Sequence, residues 1–149
     1  MVSISGIRGV VGESLTPETI VKYGAAFAEY CNHGTIIVGR DGRITGKIAA
    51  NILVSTLLSA GCDVIAIGIV PTPTVAIAIE RFKAAGGISL TASHNPMQWN
   101  GLKFMGPDGL FLDAAENKKF WNIADTRTPA YAEWNNLGKH TPDDTMLQY

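Results

Sequence analysis

The sequence predicts an α/β protein: a three-layer α/β/α arrangement around a mixed, mainly parallel sheet. Three observations carry that expectation. Short, continuous apolar runs at Thr35-Ile36-Ile37-Val38, at 63–70 and at 87–91 have the length and β-branched content of strands buried on both faces. Stretches of helical period lie between them, each opened by a recognisable cap. Strand, helix, strand, helix, strand in that order implies right-handed crossovers and helices on both faces of the sheet.

Taken in order, the alternation at 2–7 suits an additional edge strand. Thr16-Pro17-Glu18 combines an N-cap, a proline at the first helical position and an acid favoured by the helix dipole. Behind it Ile20, Gly24, Phe27 and Cys31 fall on one face. Thr45 is expected to cap a second helix whose face includes Ala49, Ile52, Leu53 and Thr56, ended by Gly61. Thr72-Pro73 repeats the cap-plus-proline device before Val75, Ile79 and Phe82. Asp113 with Glu116 three residues on has the pattern of a capping box. Before it, Gly106-Pro107-Asp108-Gly109 reads as a hairpin turn between 102–104 and 110–112, which breaks the alternation and makes the sheet mixed. From 129 to 138 no period is visible. Thr141-Pro142-Asp143-Asp144 then reads as a helix start close to Tyr149. The expected division is therefore a domain over 1–128, with 129–149 as a linker and the truncated start of a following domain.

Composition narrows the class. The 149 residues suit one domain with a real hydrophobic core, and a chain 46% hydrophobic and 17% charged is not a disordered segment. A net charge of −1 argues against a nucleic-acid partner, which would demand a basic stripe. The N-terminus lacks a charged start followed by an apolar stretch, and no run approaches the ~20 apolar residues of a spanning helix. A cytoplasmic protein without a membrane partner is expected. Cys31 and Cys62 fit no metal-ligand spacing and read as small buried residues, not as a disulfide.

In such folds ligands collect at the carboxyl ends of the strands. Three polar loops follow strands directly: Arg40-Asp41-Gly42-Arg43, Val70-Pro71-Thr72-Pro73 and Ala92-Ser93-His94-Asn95-Pro96. Pro96 fixes its own φ and restricts Asn95, so the third loop is stiff and presents the Ser93 hydroxyl in one orientation. The plain alternative is a turn in which Ser93 and Asn95 only satisfy backbone groups. A Ser-His hydrolase is disfavoured, because the flanking glycines of a nucleophile elbow are missing and adjacent residues rarely meet as nucleophile and base. Arg8, Arg40, Arg43 and Lys103 are the available cations. Arg8 lies in Gly6-Ile7-Arg8-Gly9, where glycines allow close backbone approach to an anion. Lys103, on the strand after the serine loop, points away from Leu102 and Phe104 and is placed to bind phosphate or move a proton. Each cation taken alone reads as a solvated surface charge; their gathering on loops expected to share one edge shifts the reading toward a site.

These residues resemble a known family, the α-D-phosphohexomutases. The resemblance rests on four pieces in order: Ser5-Gly6-Ile7-Arg8-Gly9-Val10-Val11-Gly12; Val38-Gly39-Arg40-Asp41-Gly42-Arg43; Gly68-Ile69-Val70-Pro71-Thr72-Pro73-Thr74; and Thr91-Ala92-Ser93-His94-Asn95-Pro96 leading to Asn100-Gly101-Leu102-Lys103. Met97-Gln98-Trp99 and the run from Gly109 to Glu116 look most like the bacterial phosphoglucosamine and phosphomannose branch. The resemblance implies a four-domain enzyme with a cleft between the domains. Ser93 would carry a phosphoryl group, give it to a hexose monophosphate to form a bound 1,6-bisphosphate, and take the other one back. Mg2+ would bind Ser93 through its phosphate, together with three aspartates of the second domain. Lys103 would do acid-base work on the serine oxygen, Arg8 would stabilise the transferring group, and His94 would support the loop and its phosphate. Arg8, His94, Asn95 and Lys103 would together bind phosphate.

Nothing here resembles the family's Asp-Gly-Asp-x-Asp-Arg metal loop, its sugar-selecting glutamate loop or its terminal phosphate-binding loop. The chain alone is therefore expected to have negligible mutase activity, and its partners to be the remaining domains and a hexose phosphate. The reading from another class is a non-catalytic module that binds phosphate or sugar phosphate.

Overall fold

The computed structural model describes residues 2–3 and 6–148. Ile4 and Ser5, central to the expected edge strand and the first motif, lie outside the described residues. The chain runs β1 (Val2–Ser3), β2 (Gly6–Val10), α1 (Pro17–Tyr30), β3 (Ile36–Arg40), α2 (Gly46–Ser59), β4 (Val64–Ile69), α3 (Thr72–Arg81), β5 (Gly86–Leu90), β6 (Trp99–Met105), α4 (Ala114–Thr126) and β7 (His140–Pro142). A short 3-10 helix, Thr145–Gln148, comes last.

One mixed sheet takes the order β1-β2-β6-β5-β3-β4-β7. The pairs β5–β3, β3–β4 and β4–β7 are parallel; β1–β2, β2–β6 and β6–β5 are antiparallel. Alternation along the strands divides the core. Ile36, Val38, Ile88, Leu90, Leu102 and Phe104 join Phe27, Leu53, Leu57 and Phe120 from α1, α2 and α4. Ile37, Ile67 and Met105 pack on the other face against Val75 and Ile79 of α3. The α/β/α layering is the result.

Local chemistry explains most boundaries. Thr16 accepts from the Thr19 N–H at 3.3 Å, and Asp113 and Glu116 close a full capping box at α4. Two other expected caps are engaged elsewhere. Thr45 precedes α2 without capping it, because its hydroxyl accepts from Asn100 Nδ2 at 3.0 Å. Thr72 is already helical, and its hydroxyl pairs with Ser89 Oγ at 3.1 Å. The Gly106–Gly109 turn forms, with Gly106 N–H donating to the Leu110 carbonyl, but its return arm makes only an isolated bridge between Met105 and Phe111.

The expected helix start at Thr141-Pro142 is corrected. His140–Pro142 pairs in parallel with Val64–Ala66 as an outer strand, where a proline's missing N–H costs the ladder nothing. Asp143 performs the capping instead, accepting from both the N–H and the hydroxyl of Thr145. Met146 is buried in the core under α3. The stretch expected as a linker thus contributes a strand to this same sheet.

Candidate functional site

The parallel strands β3, β4 and β5 end on one edge, and their loops touch there. Asp41 N–H donates to the Leu90 carbonyl at 3.0 Å, and Val70 N–H to the Arg40 carbonyl at 2.9 Å. The serine loop leaves β5 at this edge and returns as β6. Its stem is closed by Thr91 N–H donating to the Gly101 carbonyl at 3.0 Å.

Within the loop the backbone folds tightly. Asn95 N–H donates to the Ala92 carbonyl and Trp99 N–H to the Pro96 carbonyl, both at 3.0 Å. Ser93 takes a left-handed conformation with φ of 54°, unfavourable for a residue with a Cβ. Its N–H donates to Thr91 Oγ1 at 3.0 Å, which secures the turn. The Ser93 side chain is exposed, and its Oγ accepts from Lys103 Nζ at 2.8 Å. Register explains the reach: Lys103 pairs with Ser89 across β5–β6, so both point to the α3 side of the sheet. A long flexible stem carries the ammonium back to the edge.

Arg8 arrives from β2, which pairs antiparallel with β6 so that Arg8 lies opposite Gly101. Its Nη1 donates to Asn95 Oδ1 at 3.0 Å. Gly101 makes this approach possible, because a Cβ there would stand 2.5 Å from the Ile7 carbonyl oxygen and 3.0 Å from that of Thr91. Gly6 and Gly9, expected to open the backbone to an anion, are also required for packing: a Cβ would meet the Leu102 carbonyl at 2.1 Å and Ser14 Oγ at 2.4 Å.

Four of the five expected site residues therefore meet: Ser93 with Lys103, and Arg8 with Asn95. His94 is exposed beside Ser93 and makes no hydrogen bond to a described residue. Arg40 turns to its neighbour, donating to the Asp41 carbonyl at 3.2 Å.

Arg43 has a different place from the one a solvated cation would take. Its side chain is 9% exposed, and all five of its N–H donors are engaged. Nε donates to Asp41 Oδ2 at 3.2 Å. Nη1 donates to the carbonyls of Pro96 and Trp99 at 2.7 and 3.1 Å, and Nη2 to those of Ser93 and Asn95 at 2.9 and 2.8 Å. Asn100, fully buried, ties the start of β6 to Thr45 and to the Gly101 N–H. Neither role is readable from the sequence. The available signal is an aspartate two residues before an arginine, on a loop expected to share the edge with the serine loop.

Among the described residues no group of three or more His, Cys, Asp or Glu side chains could hold a metal ion. Asp41, the carboxylate bound to this loop system, is occupied by Arg43. These residues do not by themselves fit a magnesium ion.

One edge of an α/β/α domain thus carries an exposed hydroxyl touched by an ammonium, with a guanidinium anchored two residues along the loop. Residues 2–130 match the family described as phosphoglucomutase/phosphomannomutase, alpha/beta/alpha domain I, and the chain belongs to that family. It is 38% identical over 149 residues to a phosphoglucomutase/phosphomannomutase of Thermococcus kodakarensis, with 97% of this chain and 33% of the relative covered. A protein of Methanopyrus kandleri provisionally named phosphoglucosamine mutase is 39% identical over 143 residues, covering 96% of this chain and 31% of the relative. Among solved structures, a provisionally named phosphomannomutase of Thermus thermophilus superposes with a TM-score of 0.82 at 32% identity, over 95% of this chain and 32% of that one. The chain thus spans about a third of the length of the relatives it matches.

Proposed function

We propose that this chain is the catalytic-serine domain of a hexose-phosphate mutase, with Ser93 as the phosphoryl carrier. The observation that carries the reading is the 2.8 Å hydrogen bond from Lys103 Nζ to Ser93 Oγ on an exposed loop. A hexose hydroxyl oxygen attacks phosphoserine phosphorus, a new P–O bond forms, and the bond to Ser93 Oγ breaks. Lys103 delivers a proton to the departing serine oxygen while the sugar hydroxyl's proton passes to solvent. In the return transfer Ser93 Oγ attacks the other phosphorus of the bisphosphate, Lys103 takes the serine proton, the sugar O–P bond breaks and the freed sugar oxygen takes a proton from solvent. Arg8, held by Asn95 two residues along the loop from the nucleophile, neutralises charge on the transferring oxygens, the main demand of such a transfer. His94, exposed beside Ser93, completes the set that meets phosphate.

Magnesium would bind the Ser93 phosphate, with its carboxylates supplied from beyond the described residues. It would neutralise phosphate charge. The names of the relatives favour glucosamine or mannose phosphate as substrate, and the same reading takes 1–128 as the serine domain, with 129–149 leading toward a following domain although its strand at His140–Pro142 joins this sheet. Alone, the chain is expected to have negligible turnover, since among the described residues no cluster could hold a metal ion.

The test is phosphopeptide mass analysis of the protein purified from the cells that make it. Phosphate on Ser93, discharged by hexose monophosphate, is the expected result. A preparation that interconverts hexose phosphates with Ser93 never phosphorylated would overturn the mechanism. Phosphate-ester binding without turnover or phosphoserine would instead favour a binding module.

A further inference from the structure

We infer that Arg43 is a positioning residue for transfer at Ser93: its guanidinium holds the serine loop in the left-handed turn that aims the hydroxyl at Lys103. The inference rests on the mutase reading and adds to it a residue that touches neither the nucleophilic oxygen nor the substrate.

The grounds lie in where each donor goes. Arg43 directs four N–H donors to the carbonyls of Ser93, Asn95, Pro96 and Trp99, all within one loop, and the fifth to Asp41. Asp41 is itself fixed by its N–H bond to the last residue of β5 and accepts the Arg43 N–H at 3.1 Å. The cation is therefore anchored to the sheet on one side and gathers the loop on the other. Ser93 needs such a hold, because left-handed backbone is unfavourable for serine and reverts unless its surroundings over-determine it. With the Ser93 carbonyl pulled toward Arg43 at 2.9 Å, the side chain is left to meet Lys103 at 2.8 Å. The same bonds occupy four carbonyl oxygens whose negative ends would otherwise be able to oppose an incoming phosphate. Lysine cannot substitute, since a point ammonium with three donors does not reproduce a planar fork of five.

The test uses Arg43→Lys and Arg43→Ala. In the gene product purified from its own cells, Arg43→Lys is expected to lower Ser93 phosphate transfer and kcat about a hundredfold with KM nearly unchanged, as for a nucleophile misplaced by about an ångström. In the chain itself, amide hydrogen exchange is expected to quicken at Ser93 and Asn95 while amides of α1 and of β5 keep their protection. Added guanidinium at low concentration is expected to restore both readouts in Arg43→Ala. Wild-type transfer with intact protection at 93 and 95 overturns the inference. So does a uniform loss of protection through α1 and β5 in both variants, which would mean a folding role alone. Absence of phosphate on Ser93 in the wild-type protein would sink the mutase reading, and with it a role in transfer, even where exchange still shows the loop held by Arg43.

Discussion

Lys103 and Ser93 are ten residues apart, and Lys103 Nζ donates to Ser93 Oγ at 2.8 Å only because the serine is held in a left-handed turn with φ of 54°. The strand register sets the lysine on the α3 side of the sheet opposite Ser89, and the turn brings the hydroxyl to it. Two separate features, a ladder and a strained residue, thus meet in a single hydrogen bond.

The strain is testable without any activity. Glycine adopts the left-handed region freely, whereas alanine keeps the Cβ penalty. Ser93→Gly is therefore expected to be more stable than Ser93→Ala by about 1 kcal/mol, although both lose the bond to Lys103. Thermal or urea unfolding of the two variants side by side measures the difference. Equal stabilities would mean that the turn at 93 is not strained in solution.

Gly101 sits where three segments converge. A Cβ there would meet two backbone carbonyl oxygens, at 2.5 Å on Ile7 and 3.0 Å on Thr91, and would stand 3.2 Å from Arg8 Cγ. Backbone cannot rotate aside as a side chain can, so Gly101→Ala must part β2 from β6. A loss of roughly 3 kcal/mol is expected, together with loss of the Arg8–Asn95 contact. The urea midpoint reads the first, and exchange at the β2 amides the second.

The thiols give a pH signature. Cys31 and Cys62 are free, and burial pushes Cys62 up to about 11 and raises Cys31 as well, with a smaller contribution from the neighbouring Asp63 in the case of Cys62. The folded state therefore prefers both thiols protonated. Their contribution to stability is fully present below the ordinary thiol pKa of about 8.5, and for Cys62 is lost as pH rises from there through about 11. Native protein near pH 8 is expected to leave Cys62 unreacted with a thiol reagent and Cys31 slow to react, while urea-unfolded protein reacts readily at both. Cys62 is buried and Cys31 half-buried, so rapid reaction at Cys62 in the native state would contradict its burial.

Much of the architecture was legible because short-range rules govern it. The apolar runs became β3, β4 and β5; Thr16 and Asp113 cap as their neighbours require; the glycine-rich turn before Phe111 forms. The misreadings share a cause. Thr45 and Thr72 have the side chain of a cap, but each hydroxyl finds a partner from a distant segment, Asn100 in one case and Ser89 in the other. Thr141-Pro142 has the look of a helix start, yet the open edge of β4 draws it into a strand. A local pattern states which bonds a residue is able to make. It does not state which distant group competes for them.

The site divides the same way. Amino-acid order alone was enough for the chemical cast: a serine on a stiff loop after a buried strand, the arginines and lysine on segments converging on one edge, and the family those motifs define. Which cation meets which partner was decided only by folding. Lys103 reaches the hydroxyl, Arg8 is held by Asn95, and Arg43, indistinguishable in the sequence from a solvated charge, lies buried under the loop with every donor used. The physical reason is that charge and donor count are properties of a residue, whereas burial and partner are properties of the register that brings β2, β3, β5 and β6 together.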